Sequence, residues 1–199
     1  MVWVRRYGDS MATSGKTRST DRTRRAILDA ASELMGKHGT SVSLARIAEA
    51  AGVSKGGLLH HFPSRNDLIW ALGEDCARQL RSEVEGFLDL SENRPGKMLR
   101  AYVRALCGGS GEAMVYFADS STWYPMIDIP EVKQAIADNV RWWDEQFAAD
   151  GLPDDRIRLV RRAAEGCAAA YVWGEETEEG VAQLRGLLLG LTEESAPLT

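Results

Sequence analysis

Apolar residues recur along this chain at intervals of three and four positions, which is the spacing of one face of a helix. The strict alternation of apolar and polar residues that marks a half-buried strand is absent. The pattern predicts nine helices, no β-sheet and no repeat of fixed period. The expected fold is therefore all-α and is not a solenoid.

The first predicted helix begins at Thr20 or Asp21, either of which can cap it, and ends before Gly39. His38, in its last turn, is expected to interact favourably with the helix dipole. Residues 1–20 mix Gly, Ser, Thr, Arg and Lys without periodicity. They are therefore predicted to form a flexible tail.

Two short helices are predicted between Ser43 and Phe62. Ser43 can cap the first of them, and Gly52 ends it at a position that suits a left-handed backbone. The second helix follows Ser54 and stops at Pro63. Two short helices joined by so tight a turn have the layout of a helix-turn-helix, in which one helix braces another that enters the DNA major groove.

Six more helices are predicted downstream, of which the first starts after Ser64 and runs to about Leu90. The apolar stripes of the last five cover residues 98–106, 113–122, 132–147, 157–171 and 181–191. The predicted organisation is a flexible tail over residues 1–20, a helix-turn-helix domain over 21–65, and a larger helical domain over 66–199.

The two predicted domains differ in charge, although the 199-residue chain has a net charge of only −5. Residues 1–65 carry 11 Lys and Arg against 5 Asp and Glu, whereas residues 66–199 carry 13 against 24. A basic head on an acidic body is typical of a protein that meets a polyanion through the head alone. On charge alone, a solvated basic tail without a partner remains the alternative.

The candidate contact surface lies on the third predicted helix, where Leu58 and Phe62 are expected to face inward. The residues left on its outer side are Lys55, Gly56, Gly57, Leu59, His60 and His61. A cation and two imidazoles beside glycines allow close approach to phosphates and base edges. The two histidines have no Cys, Asp or Glu at ligand spacing, so no metal site is predicted.

The run from Val42 to Leu68, VSLARIAEAAGVSKGGLLHHFPSRNDL, resembles the DNA-binding signature of the TetR family of bacterial transcriptional regulators. The specific similarity extends from about Arg25 to Leu72, and beyond it only the helical architecture agrees. The resemblance implies a homodimer that binds a palindromic operator in double-stranded DNA as a repressor. It also implies release of the operator when a small molecule enters the body.

The resemblance implies roles for single residues as well. Positions that touch DNA in the family correspond to Ser43, Ala45, Arg46, Lys55, Gly56, Gly57 and His60. Arg65 stands where the family often has a phosphate-binding lysine. Leu59 occupies a position usually held by a phosphate-contacting tyrosine, and Gly57 one usually held by threonine. More of the expected binding therefore falls on Lys55, His60 and Arg65.

Aromatic and methionine side chains are concentrated in the predicted body, which holds five of the six tryptophans. Because an apolar cavity between helices is a common ligand site, we expect an apolar or aromatic effector there. The candidate ligand-binding residues are Tyr102, Met114, Phe117, Trp123, Tyr124, Trp143 and Trp173. The alternative is that these rings only fill the core. Glu112, Asp119 and Glu165 either meet a cationic ligand or belong to solvated helix faces.

The last two predicted helices carry more apolar positions than one stripe needs, so two of their faces require cover. Small alanines let helices approach closely, and the additional leucines fit a four-helix contact between two copies of the chain. The candidate dimer-interface residues are Ala164, Ala168, Val172, Leu184, Leu188 and Leu191.

Other classes of protein are not expected from this sequence. It has no Gly-rich phosphate loop, no Gly-x-Ser-x-Gly motif and no His or Cys paired with a base in the body, so neither an enzyme nor a cofactor is predicted. No apolar stretch approaches the length of a membrane span, and no signal peptide is evident, so we expect a cytoplasmic protein. Cys76, Cys107 and Cys167 are interpreted as small core residues.

A second hypothesis keeps the DNA-binding head but gives the body no small ligand. Such a chain would be an architectural or partner-recruiting DNA-binding protein. A partly empty apolar cavity in the body would favour the effector hypothesis, whereas a solidly packed body would favour recruitment.

Overall fold

The computed structural model of the chain describes residues 15–39, 41–108 and 129–193. Within these ranges it contains eight α-helices and no strand, which confirms the all-α prediction. The helices are α1 (Gly15–His38), α2 (Leu44–Ala50), α3 (Lys55–His61), α4 (Arg65–Gly86), α5 (Lys97–Leu106), α6 (Pro130–Ala148), α7 (Asp154–Val172) and α8 (Glu178–Leu191). The helix predicted over residues 113–122 lies outside the described residues. None of the eight helices is long and apolar enough to cross a bilayer.

The chain divides into two compact units, Met1–Ser64 and Arg65–Thr199. The first unit contains α1 to α3, and the second contains α4 to α8. This division falls at the start of α4, one residue before the domain boundary that the sequence predicts.

In the first unit, one side of each helix is buried. α2 packs against both α1 and α3. The buried apolar side chains are Ile27, Leu28, Ala30, Ala31, Met35, Val42, Ile47, Ala48, Leu58 and Phe62. The guanidinium of Arg24 on α1 lies 5.0 Å from the centroid of the Phe62 ring. This cation–π contact adds to the apolar contacts that hold α1 near the end of α3.

α1 begins earlier than its apolar stripe predicts. It starts at Gly15, inside the segment predicted to be a flexible tail. Residues 16–20 contain neither Gly nor Pro, so helical hydrogen bonding extends over them without any apolar face to bury. Where the extension joins the predicted helix, Thr23 Oγ1 donates to Ser19 O at 2.9 Å.

α4 ends at Gly86, whereas the apolar pattern predicts an end near Leu90. Beyond Gly86 the backbone tightens, and Phe87 N donates to Val84 O three residues back. The apolar side chain of Phe87 still packs against the core of the second unit. Periodicity therefore overestimated the length of α4, because apolar residues continue to pack against the core after the helical backbone has ended.

α5 is the central helix of the second unit. Seven of its ten residues are buried, and it contacts α4, α6, α7 and α8. The surrounding helices contribute Leu80, Val84, Trp143, Phe147, Val160, Ala164, Cys167, Ala168, Val181 and Leu188 to the same core. A helix that is apolar over most of its circumference is expected at such a central position.

Asp150, in the turn after α6, fixes the start of α5. Its Oδ1 accepts from Met98 N and its Oδ2 from Leu99 N, both at 2.9 Å. Gly96 N donates to Asp150 O at 2.9 Å, and Gly96 has a φ of 88°, a conformation that favours glycine. The carboxylate thus satisfies two amide groups that have no partner within the helix.

Two buried arginines hold the end of α8. Arg156 Nη1 donates to Glu193 O at 2.9 Å. Arg100 Nη1 donates to Thr192 O at 3.3 Å, while its Nε lies 2.9 Å from Glu92 Oε1. The guanidinium groups satisfy carbonyl oxygens at the helix end, and Glu92 compensates part of the buried charge.

Candidate functional site

The turn between α2 and α3 has the geometry that its glycine predicts. Gly52 adopts a φ of 68°. Its N–H donates to Glu49 O at 3.0 Å, and Val53 N–H donates to Ala48 O at 2.9 Å. This arrangement closes the end of α2 with a left-handed residue. The path from α2 to α3 therefore depends on the conformational freedom of Gly52.

Both helices of this motif begin at an exposed serine cap. Ser43 Oγ accepts from Arg46 N at 3.2 Å, and Ser54 Oγ accepts from Gly57 N at 3.0 Å. Each hydroxyl acts as an acceptor in its cap and keeps a hydrogen that it can donate elsewhere. Ser43 is therefore able to cap α2 and donate to a phosphate with the same group.

α3 has one buried side and one exposed side. Leu58 is fully buried, and Phe62 at the C-cap is buried as well. The sequence-predicted DNA contacts on the other side are exposed at Lys55, Gly56 and His60 and half-buried at Gly57 and Leu59. These residues share a helix whose orientation is fixed by its buried leucine and phenylalanine.

The sequence-predicted DNA contacts around α2 are exposed at Ser43, Ala45 and Arg46. The guanidinium of Arg46 has a partner that sequence reasoning missed, since its Nη2 lies 3.2 Å from His38 Nε2 at the end of α1. The sequence indicated only a dipole interaction for His38. No local pattern links the two positions, because the contact arises from the packing of α1 against α2.

Arg65 is the ninth predicted DNA contact and differs from the others in position. It is the first residue of α4, is half-buried, and belongs to the second compact unit. The other eight lie in the first unit, and six of them are exposed. That these nine residues touch DNA stays a prediction.

Two of the predicted effector-binding residues meet in the core of the second unit. The rings of Tyr102 on α5 and Trp143 on α6 are edge to face, with centroids 4.9 Å apart. Phe147, which the sequence did not single out as a ligand contact, lies 5.2 Å from Tyr102 and 5.5 Å from Trp143. Its position four residues after Trp143 on the same helix was the available signal.

Trp173 does not join these rings, so its assignment as a ligand contact stays a prediction. It forms the C-cap of α7 and is 62% exposed. The chain turns at the next residue, Gly174, with a φ of 75°. The indole therefore lies at the very end of the helix, beyond its buried residues. Four other predicted ligand contacts lie outside the described residues: Met114, Phe117, Trp123 and Tyr124.

A charged network borders the aromatic cluster. Glu165 on α7 accepts from Tyr102 OH at 3.0 Å, Arg161 Nε at 3.0 Å and Arg162 Nη1 at 2.6 Å. Arg161 is buried and also donates to Asp144 Oδ1 at 2.6 Å. Two carboxylates thus balance two guanidinium groups. Glu165 is neither an open site for a cation nor part of a solvated face, the two interpretations that the sequence left.

Three of the predicted dimer-interface residues are buried against the core of their own chain: Ala164, Ala168 and Leu188. They are therefore not available to a second copy, which corrects that part of the prediction. The other three are half-buried: Val172, Leu184 and Leu191. α7 has small or apolar residues on two sides, and periodicity does not tell which side meets its own core. That the other three residues contact a second copy stays a prediction.

The exposed side of α7 and α8 combines large apolar residues with glycines. Leu187 is 66% exposed and Leu159 is 48% exposed. Gly186 and Gly190 are exposed on α8. Gly190 lies four positions after Gly186 and three after Leu187, so it neighbours both residues on the helix surface. Trp173 at the end of α7 is exposed as well, and we call these exposed residues of the two helices together the α7–α8 face.

Two of the three cysteines are neighbours inside the second unit. Cys107 follows the end of α5, Cys167 lies on α7, and both are buried as reduced thiols. Burial, together with the adjacent Cys167 thiol, raises the pKa of Cys107 to about 12. Burial also raises the pKa of Cys167. Neither thiol is therefore a ready nucleophile near neutral pH.

The chain matches two family models, of which the first extends past the end of the first unit into α4 and the second lies within the second unit. Residues 27–72 match the model of bacterial regulatory proteins of the tetR family. Residues 96–193 match the model of the tetracyclin repressor-like C-terminal domain. The first match contains the helix-turn-helix, and the second contains α5 to α8 among the described helices.

Individual proteins resemble the chain in part or in whole. It is 47% identical over 66 residues to the HTH-type transcriptional regulatory protein RaaS of Mycobacterium tuberculosis, a match that covers 33% of this chain and only 31% of RaaS. Its fold is similar to a TetR-family regulator from Streptomyces coelicolor, with a TM-score of 0.70, 21% identity, and coverage of 94% and 98%. It is also similar to the multidrug binding protein EbrR, solved with imidazole, with a TM-score of 0.63, 19% identity, and coverage of 89% and 95%.

The family models agree with the observed organisation, because the N-terminal model contains the helix-turn-helix and the C-terminal model falls on the helical unit that follows it. Proteins of this family regulate transcription and are not enzymes. The chain therefore belongs to the TetR family of bacterial transcriptional regulators, and its helix-turn-helix is a DNA-binding element.

Proposed function

We propose that the protein is a repressor that binds a palindromic operator as a homodimer and releases it when a small apolar or aromatic molecule binds the second unit. The observation that carries this proposal is the two-sided character of α3. Its inner side is fixed by the buried Leu58, while Lys55 and His60 on its outer side are exposed.

Operator binding rests on the charge and shape of the α2–α3 surface. Arg46, Lys55 and His60 are exposed in a head whose Lys and Arg exceed its Asp and Glu by six over residues 1–65. Cationic side chains displace counterions from phosphates and supply affinity, whereas contacts to base edges supply specificity. Gly56 lets the backbone approach the duplex. We assign Lys55 and His60 to the groove and Ser43 with Arg46 to the backbone.

The homodimer forms on the α7–α8 face. Leu187 supplies exposed apolar area, and Gly186 and Gly190 let the α8 helices of two copies approach closely. Val172, Leu184 and Leu191 form the partly buried border of this surface. Because two-fold symmetry pairs two heads, the matching operator is an inverted repeat.

The effector acts through the aromatic cluster of Tyr102, Trp143 and Phe147. α4 packs against α5 and α6, and its first residue directly follows the head, so it is the covalent link between effector and operator. A ligand shifts the equilibrium only if it prefers one of two conformations. A coupling of about 1–3 kcal/mol would weaken operator binding roughly 5- to 150-fold.

A second candidate function is DNA binding without an effector, in an architectural or partner-recruiting role. The observation that favours it is the close ring packing, since Tyr102 and Trp143 have centroids 4.9 Å apart. Such contacts are also those of a core that is simply filled. The two candidates differ in whether small molecules change operator affinity.

Selection of bound sequences from a random duplex library tests the DNA-binding part. We expect an inverted repeat, to which the protein binds with an affinity that falls steeply with salt. A screen of hydrophobic compounds by tryptophan quenching, followed by operator titration with each hit, tests the effector part. Failure to enrich any duplex contradicts the proposal, and hits that leave operator affinity unchanged favour the second candidate.

A further inference from the structure

Trp143 holds a hydrogen-bond donor that no described residue accepts. The side chain is 2% exposed, and its Nε1 makes no hydrogen bond within the part of the chain that the structure describes. Nε1 is the one polar atom of an indole. Buried donors without a partner are rare in folded proteins because each loses its hydration without replacement.

Other buried polar atoms without a partner belong to groups that are otherwise satisfied. Arg100 Nε makes no hydrogen bond of good geometry, but it is ion-paired with Glu92 and Arg100 Nη2 donates to Pro95 O at 2.7 Å. Glu92 Oε2 has no hydrogen bond, but Glu92 Oε1 accepts from Arg94 Nε at 2.6 Å. Arg81 and Arg156 likewise have hydrogen bonds through other atoms. Trp143 has no second polar atom to compensate. Among the described residues with such a buried atom, Trp143 is therefore the one whose side chain makes no hydrogen bond at all.

The direction of the Trp143 N–H is fixed without any hydrogen bond. The indole stacks on Phe147 at 5.5 Å and meets the rings of Tyr102 and Trp142 edge to face at 4.9 and 4.8 Å. Rings on three sides restrict its rotation. A donor that is preorganised in this way loses little entropy when an acceptor arrives.

The charges beside the aromatic cluster are already paired. Glu165 accepts three hydrogen bonds, from Tyr102, Arg161 and Arg162, and Asp144 accepts from Arg161. A cationic ligand would have to displace a guanidinium group from a carboxylate, and an anionic ligand would have to displace a carboxylate. Both exchanges leave a partly buried charge without its partner.

We propose that the effector is a neutral, mainly aromatic compound with one hydrogen-bond acceptor, such as a carbonyl oxygen or a ring nitrogen, which accepts from Nε1–H of Trp143. This inference rests on the proposed function, in which the aromatic cluster is the effector site. The acceptor pairs with the Nε1–H donor of Trp143, and the rings of Tyr102 and Phe147 contact the apolar part of the ligand.

Matched probes that differ in a single acceptor test this chemistry. Benzophenone is compared with diphenylmethane, and quinoline with naphthalene, while N-methylquinolinium supplies a cation of nearly the same shape. Isothermal titration calorimetry on the full chain should show about tenfold tighter binding of the acceptor-bearing member of each pair, the effect of one buried hydrogen bond. Quinoline should bind more tightly than N-methylquinolinium.

Trp143→Phe keeps an aromatic ring but removes the donor, so the tenfold preference should fall to near one. Trp142→Phe is the matched control, because it removes a neighbouring indole whose Nε1 is not buried without a partner, and it should keep the preference. The proposal is overturned if Trp143→Phe keeps the preference or if the wild type binds the paired probes equally. It is also overturned if the wild type prefers the cation or binds no probe.

The wild-type protein provides a second measurement that does not depend on the folding of a variant. In a 15N-labelled sample, the indole N–H resonance of Trp143 should move downfield with benzophenone and not with diphenylmethane. An unmoved resonance overturns the proposal. Operator titrations run in parallel separate the proposed switch from the proposed effector chemistry. Probe binding that depends on Trp143 but does not alter operator affinity contradicts the switch. Intact operator binding without binding of any probe contradicts only the effector chemistry.

Discussion

His38 Nε2 and Arg46 Nη2 lie 3.2 Å apart, which joins the last residue of α1 to an exposed side chain of α2 that is predicted to contact DNA. A guanidinium group only donates, so the imidazole is the acceptor in this contact. The contact limits the conformations of Arg46 before DNA binds. A side chain held in this way loses less entropy when it meets a phosphate.

Replacement of His38 by Ala should weaken operator binding about two- to fivefold, the range expected for one exposed hydrogen bond. His38→Gln keeps an acceptor and should retain most of the affinity. Fluorescence anisotropy with a labelled operator measures both variants. A double-mutant cycle with Arg46→Ala should give a coupling energy between the two positions, and additive effects would contradict the positioning role.

Lys55→Ala should reduce operator affinity by about 1–3 kcal/mol if the side chain reads a base, and should flatten the salt dependence if it meets only phosphate. Lys37→Ala is the matched control, because Lys37 is exposed on α1 outside the helix-turn-helix and pairs with Glu33 at 2.6 Å. Affinities are measured over a series of salt concentrations. Equal losses in the two variants would show that Lys55 contributes only to the net charge.

Local signals made the helix-turn-helix predictable from sequence. Ser43 and Ser54 are preferred cap residues, and Gly52 is the residue that a left-handed helix end requires. Each of these residues determines the backbone conformation only of its neighbours in sequence, so its effect does not depend on the rest of the fold. The buried positions of Leu58 and Phe62 follow from the same short helix.

Long-range contacts explain what the sequence did not reveal. Asp150 caps α5 from the far end of α6, and the partners of Arg100 lie in distant turns, so neither contact has a local pattern. Ala164 and Ala168 were assigned to the wrong face of α7 for a related reason. Small residues suit both a chain's own core and a contact with a second copy.

Leu187→Glu should convert the proposed dimer to a monomer without unfolding it, because Leu187 is exposed in the single chain and a carboxylate there would be buried by a second copy. Leu90→Glu, at an exposed leucine just beyond α4, is the matched control. Light scattering at micromolar concentration gives the mass, and circular dichroism checks the helices. A wild-type monomer, or a Leu187→Glu dimer, would contradict the proposed interface.

Asp150→Ala should lower the free energy of unfolding by about 1–2 kcal/mol, the range for loss of a helix cap. The variant leaves Met98 N and Leu99 N without their acceptors. Urea denaturation measures the change. Asp138→Ala is the control, since Asp138 is exposed and accepts from Gln134 Nε2 on its own helix at 2.9 Å, so its loss should change stability by less than about 0.5 kcal/mol. Equal effects would refute the capping role.

The buried thiol of Cys107 should make the protein less stable at alkaline pH. Its pKa rises from an ordinary value of 9.0 to about 12 in the folded state. Below pH 9 the thiol is protonated in both states, so folding is not affected. Above pH 9 the unfolded chain releases the proton while the folded chain retains it, so the free energy of unfolding falls as pH rises, by up to about 1.4 kcal/mol per pH unit.

Cys107→Ala removes this contribution, so its stability should decline less steeply than that of the wild type between pH 9 and pH 10.5, although its stability at pH 7 should be lower because of the lost packing. Urea denaturation across this range gives the two slopes. Cys76 is half-buried on α4, so Cys76→Ala is the matched control for the loss of a thiol outside the buried pair. Iodoacetamide labelling at pH 8 with mass spectrometry should modify Cys76 before Cys107, because only thiolates react. Equal slopes for Cys107→Ala and the wild type, or early labelling of Cys107 in the folded protein, would contradict a raised pKa at this position.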